Sequence, residues 1–233
     1  MKKPQLFTLH FAGGNCYSFQ FLTSKLPALE VISLELPGRG NRMMEDLIHG
    51  FEQAADDLFK KITARLNGEP FLIYGHSMGA VLGIKVAHLL EQSGRKPAAL
   101  ILSGNAGPGV KKYDNTYLQP TPEFKKVLKD LGGIPDEVLD NEDLFSFFEP
   151  VLRADFEIVE KAGKHAFSPV SIPLYAVMGT AEECVDKIDT WQQYTTSRFR
   201  KELLEGGHFF IHQHAPRMAA IIMSQLQAAQ VAR

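Results

Sequence analysis

Cysteine is nearly absent from this 233-residue chain, with Cys16 and Cys184 the only two. Two thiols do not make the disulfide framework on which small secreted domains rely, so both are expected to be reduced. Long apolar runs are also missing. None approaches the roughly 20 residues that span a bilayer, and the opening MKKPQLFTLHFAGG reads as a short strand rather than the apolar core of a signal peptide. There is no excess of charge of one sign either: 25 Lys and Arg stand against 27 Asp and Glu, a formal net charge of -2. That balance argues against a protein held to nucleic acid or to a membrane surface by bulk electrostatics. Internal repeats and low-complexity segments are absent. These absences point to a cytoplasmic protein, monomeric, with a small-molecule or protein partner.

What is present is apolar residue in short, regular blocks. With 45% hydrophobic content over 233 residues the chain can bury one sizeable core, and a single domain over 1–233 is expected. QLFTLHF (5–11), EVISLEL (30–36), PFLIYGH (70–76), AALILSG (98–104), IPLYAVMG (172–179) and RFRKELLE (198–205) read as strands. Helical spacing fills 46–66, 78–93, 186–195 and 215–230 between and after them. Most of the strands are continuous apolar runs, the pattern of a parallel sheet covered by helices on both faces, so the fold class is α/β.

The alternation lapses between about 107 and 168. GPGVKKYDNTYLQP is a turn-rich connector, Thr121-Pro122-Glu123 and Asn141-Glu142-Asp143 look like helix starts, and Pro150 is expected to split the following apolar run into two helices. We read this as a helical insertion. Its aromatic stripe, Phe145, Phe147, Phe148 and Phe156, is expected mostly to pack on the main domain, with a minority lining a channel for an apolar substrate. Lys111, Lys112, Lys125, Lys126 and Lys129 give it a basic face, which is either solvated or a docking site for an acidic partner.

The chemistry is concentrated at FLIYGHSMGAVLGIKVA, residues 71–87. A strand that ends in Gly-x-Ser-x-Gly and runs straight into a helix is a nucleophile elbow, which lifts a serine above the carboxyl edge of the sheet. Ser77 is that serine, and the N–H of Met78 at the helix start can face an oxyanion. A serine hydroxyl needs a base, and the base an orienting acid. Among the eight histidines, His208 follows the last strand in EGGHFF, where Gly206 and Gly207 allow a tight turn toward the active edge. The others precede the elbow, lie in it or in its helix, or sit beside the insertion or the last helix. The acid should come from the loop after the preceding strand. Glu182 is favoured there, with Glu183 and Asp186 open. A second oxyanion donor should come from the loop LHFAGGNCYSF, as the N–H of Phe11 or Ala12.

HFAGGNCYSFQ, ELPGRGNR, GHSMGA, SGNAGPG, LGGIPDEVL, FEPVLRADFEIVE and GGHFFI occur in an order and spacing that resemble the type II thioesterases of nonribosomal peptide and polyketide synthesis. The resemblance covers nearly the whole chain. It implies an α/β-hydrolase fold with a helical lid, and an enzyme that removes stalled acyl groups from the phosphopantetheine arm of acyl or peptidyl carrier protein domains, with no metal or redox cofactor. It matches Ser77 to the nucleophile, His208 to the base, and Phe11 and Met78 to the oxyanion donors. The family usually has aspartate three residues after the strand-ending glycine; here that position is Glu182. A medium-chain acyl-carrier thioesterase, a small-ester hydrolase and a non-catalytic module on the same scaffold are the competing readings.

Overall fold

A computed structural model describes residues 2–111, 115–163, 165 and 167–231. Six strands form one sheet: β1 (Gln5–Leu9), β2 (Glu30–Leu34), β3 (Phe71–His76), β4 (Ala99–Ser103), β5 (Leu174–Gly179) and β6 (Phe199–Leu204). Their order is β2-β1-β3-β4-β5-β6 and every neighbouring pair is parallel. Side chains alternate along each strand, so one apolar run supplies two cores. Phe7, Leu9, Ile73, Leu100, Leu102 and Met178 face one side. There α2 (Phe51–Thr63) and α3 (Met78–Gln92) cover them. Leu6, Leu72, Tyr74, Ile101 and Val177 face the other, under α1 (Gln20–Thr23) and α7 (Ala215–Val231). The expected strands are all present, each within two residues at either end.

Two expectations need correction. The segment expected as an α-helix over 186–195 is a 3-10 helix, Val185–Tyr194. Val185, Ile188, Trp191 and Tyr194 fall every third residue and all pack on the first core. A repeat of three matches three residues per turn, and the Trp191 indole N–H fixes the element by donating to the Asn105 carbonyl at 2.7 Å.

The second correction concerns Pro150. The insertion contains α4 (Thr121–Leu131), α5 (Asp136–Asp140) and α6 (Glu142–Ala162), and α6 runs unbroken through Pro150. An interior proline costs ~3 kcal/mol, but Phe145, Leu152 and Phe156 lie on both sides of it and share one buried cluster with Phe124, Leu128 and Leu139. Pro150 is exposed, as is Ser146, whose carbonyl it cannot bond. Asn141 caps α6 as expected, its side chain accepting from the Leu144 N–H at 3.0 Å. The aromatic stripe divides: Phe145 and Phe156 are buried, whereas Phe147 is 60% exposed and Phe148 41%. Of the basic residues, Lys112 lies outside the described residues, Lys111 pairs with Glu183 and Lys129 with Asp136.

The insertion is therefore anchored unevenly. Ile158 and Ala162 of α6 enter the first sheet core, while α4 and α5 bury their apolar residues in the small separate cluster. Elements with fewer links to the main core open at lower free energy. Amide hydrogen exchange of 121–140 should run at least about tenfold faster than that of β1, β3 and β4, with the C-terminal half of α6 as slow as the sheet. Uniform protection across the insertion and the sheet would contradict this division.

Candidate active site

Residue 77 is held in a conformation that serine rarely adopts, φ 57 and ψ -112. The cause is the closeness of β3, α3 and β1. A Cβ on Gly75 would run into the Gly79 carbonyl, and one on Gly79 into the Leu9 carbonyl. The Ser77 N–H donates to the Ser103 carbonyl of β4 at 2.8 Å, which fixes the turn to the sheet. Such strain is sustained only where the surroundings over-determine it, and here three elements do.

Above this turn the side chains predicted from sequence come together. Ser77 Oγ lies 2.9 Å from His208 Nε2, and His208 Nδ1 lies 2.6 Å from Glu182 Oε2. The carboxylate accepts the Nδ1 proton, leaving Nε2 as the acceptor for the serine hydroxyl. Glu182 is itself oriented, since its Oε1 accepts the Gly179 N–H at 2.8 Å. Its side chain is 5% exposed, against 67% for Glu183 and 68% for Asp186. Glu183 pairs with Lys111 and Asp186 with Lys187, so of the three carboxylates left open by the sequence only Glu182 meets the histidine.

The N–H groups of Met78, Phe11 and Ala12 find no acceptor among the described residues. Met78 begins α3, and Ala12 lines a cavity of about 580 Å³ together with Ser77, His208 and Glu182. Val127, Leu131 and Phe156 of the insertion wall the same cavity. A larger groove, about 740 Å³, opens at the amino ends of the strands beside Pro70, Lys96 and Arg198, away from these groups.

Two histidines set aside by the sequence prove to be buried supports. The His76 ring stands 5.1 Å from that of His208, with Nδ1 2.8 Å from Ser103 Oγ, and burial pushes its pKa well below the usual value. His10 Nδ1–H donates to the Phe11 carbonyl at 2.7 Å, and its Nε2 accepts the Leu36 N–H at 3.2 Å. Burial, then Arg39, pushes its pKa down to about 4. Burial and the neighbouring Glu35 push the Cys16 thiol pKa up, away from the thiolate.

Sequence reasoning also missed the buried charges beside the loop after β1. Arg39 and Asp155 pair bidentately at 2.5 and 2.8 Å, and Asp155 accepts the Gly13 N–H at 2.8 Å. The available signal was a charged residue inside an apolar stripe, Asp155 between Ala154 and Phe156. Among the described residues, no group of three or more His, Cys, Asp or Glu side chains is placed to hold a metal ion, and no helix is long and apolar enough to cross a membrane.

The model of one protein family, the thioesterase domain, matches residues 4–226. The chain is 33% identical over 231 residues to the linear gramicidin dehydrogenase LgrE of Brevibacillus parabrevis, covering 96% of this chain and 88% of that protein. It is 30% identical over 230 residues to the gramicidin S biosynthesis protein GrsT of Aneurinibacillus migulanus, covering 97% and 90%. Among solved structures it resembles YbtT, a type II thioesterase of the yersiniabactin NRPS/PKS pathway, with a TM-score of 0.89 and 27% identity over 98% of this chain and 94% of that one.

The buried neutral His10 gives a test of the loop it supports. Between its free value of 6.5 and about 4 the unfolded chain binds a proton that the folded chain refuses, so acidification through this window destabilises the fold. One such group contributes a slope of about 1.4 kcal/mol per pH unit. Urea unfolding at pH 6, 5.5 and 5 should show the slope reduced by close to this amount in His10→Gln. Parallel slopes in the two proteins would rule His10 out as a source of acid lability.

Proposed function

The chain belongs to the thioesterase domain family, and from that premise we propose that it clears acyl groups from the phosphopantetheine arm of carrier protein domains through an acyl-enzyme on Ser77. The observation that carries this reading is the relay of Ser77, His208 and Glu182, with links of 2.9 and 2.6 Å, opening on a cavity roofed by the insertion. His208 takes the Ser77 proton as Oγ attacks the thioester carbonyl. The N–H groups of Met78 and of Phe11 or Ala12 stabilise the tetrahedral oxyanion, the C–S bond breaks, and the thiol leaves with the proton from His208. Water, deprotonated by the same imidazole, then attacks the ester and Ser77 is regenerated. No step calls for a metal or redox cofactor.

The similarity to proteins of gramicidin and yersiniabactin synthesis supports carrier domains as partners and editing of stalled intermediates as the role. In this reading the protein is a single domain, monomeric and cytoplasmic, and α4 with α5 forms the movable part of a lid that admits the acyl arm. One relative is named a dehydrogenase. The sequence contains no Gly-x-Gly-x-x-Gly, the dinucleotide fingerprint, whereas the elbow and its relay are present.

The test compares acyl-carrier thioesters with p-nitrophenyl esters across a series of variants. Ser77→Ala and His208→Ala should each lower kcat by about 10⁶. Glu182→Gln should lower it by about 10⁴ with little change in KM, while Glu183→Gln and Asp186→Asn should each cost less than about tenfold. A preference for the oxygen esters would favour a small-ester hydrolase. Retained turnover in Ser77→Ala would exclude the proposed mechanism.

A further inference from the structure

The loop that follows β1 contributes no side chain to the relay, yet buried polar groups hold it at several points. The Phe11 carbonyl accepts both His10 Nδ1–H and the Gly14 N–H, at 2.7 and 2.9 Å. Glu35 accepts the Cys16 N–H at 3.1 Å and the Asn41 N–H at 2.8 Å. The Gly13 N–H donates to Asp155, which is 0% exposed and paired with Arg39. Arg39 Nη1 also lies 3.4 Å from the Gly14 carbonyl. Both peptide planes that flank Ala12 are thus fixed, one at its carbonyl and the other at its N–H. A trans peptide points its N–H opposite its carbonyl, so fixing the Phe11 carbonyl also fixes the direction of the Ala12 N–H.

Asp155 is not part of the sheet or of its loops. It projects from α6, one turn beyond Leu152, whose side chain occupies the space that a Cβ at Gly13 would need. We infer that Asp155 is a positioning residue for thioester hydrolysis: from the lid helix it holds the Gly13 amide, and thereby the adjacent oxyanion donor of the same loop, in its productive direction. This rests on the Ser77 acyl-enzyme reading. The Arg39 guanidinium pairs with the carboxylate and holds it in register inside the protein, since a buried charge is tolerated only when paired and hydrogen-bonded. A fold needing only a link between α6 and the core has cheaper means in apolar contacts, which α6 already makes through Ile158 and Ala162.

The experiment separates the acceptor at Gly13 from the charge pair. Arg39→Met/Asp155→Asn removes both charges and keeps an oxygen for the Gly13 N–H. Arg39→Met/Asp155→Leu removes the oxygen as well at similar volume. The leucine form should show kcat about 10² below the asparagine form, the scale of one lost oxyanion donor, with KM within about threefold. Its affinity for an acyl trifluoromethyl ketone, which forms a hemiketal oxyanion on Ser77, should fall in parallel. Equal kcat and equal ketone affinity in the two folded proteins would overturn the inference and leave Asp155 a structural residue. Should the leucine form not fold, Asp155→Glu decides. It retains the charge beside Arg39 and displaces the acceptor by one methylene, so wild-type kcat and ketone affinity there would equally overturn the inference. The ¹³C signal of a labelled ketone distinguishes the two levels of failure. No hemiketal on wild-type Ser77 removes the acyl-enzyme reading and this inference with it, whereas an undiminished hemiketal in the leucine form removes this inference alone.

Discussion

Strand β3 meets helix α3 so closely that residue 75 has no room for a Cβ, as residue 79 has none against the end of β1, and the serine between them is forced to φ 57. Everything else at the site is arranged around that contact. Because all six strands are parallel, their carboxyl ends lie on one edge, and the loops after β1, β3, β5 and β6 converge there. The elbow supplies Ser77, the loop after β5 supplies Glu182 one turn from Gly179, and the paired glycines after β6 bring His208 across. A regular parallel sheet thus turns residues up to 131 positions apart in sequence into neighbours.

The insertion makes its own contribution to this edge. It is split between α4 and α5, which share a small satellite core, and α6, which reaches the main core and carries Asp155 to the loop after β1. Burying Arg39 and Asp155 costs several kcal/mol per ion in desolvation, which their mutual attraction offsets only with good geometry and further hydrogen bonds. Those are present: the pairing is bidentate, and the Gly13 N–H and Gly14 carbonyl use the remaining capacity. Breaking one partner alone is expected to be far more damaging than replacing both. Near His208, contact with Phe209 leaves no room for a Cβ at Gly133, so the α4–α5 joint sits directly on the residue that follows His208.

The sheet and the relay were legible because each rests on local signals. Strand runs of five or six residues, most of them apolar, the Gly-x-Ser-x-Gly junction and the glycine pair before His208 all lie within short windows. Glu182 could be favoured from its place on the loop, but its selection over Glu183 and Asp186 depends on burial, which no window reports. Pro150 misled because its local cost is real, while the compensation comes from Phe145, Leu152 and Phe156 packing on other helices. The 3-10 helix was readable in principle, since Val185, Ile188, Trp191 and Tyr194 repeat at three. Arg39 and Asp155 lie 116 residues apart, and nothing in either neighbourhood announces the other.

The most direct measurement of the central idea is rapid-quench peptide mass spectrometry on the wild-type protein mixed with an acyl thioester on carrier phosphopantetheine. The predicted result is an acyl mass increment on the peptide that contains Ser77, appearing before free acid accumulates and decaying as it forms. Hydrolysis of the thioester at full rate with no adduct on that peptide at any time would contradict it.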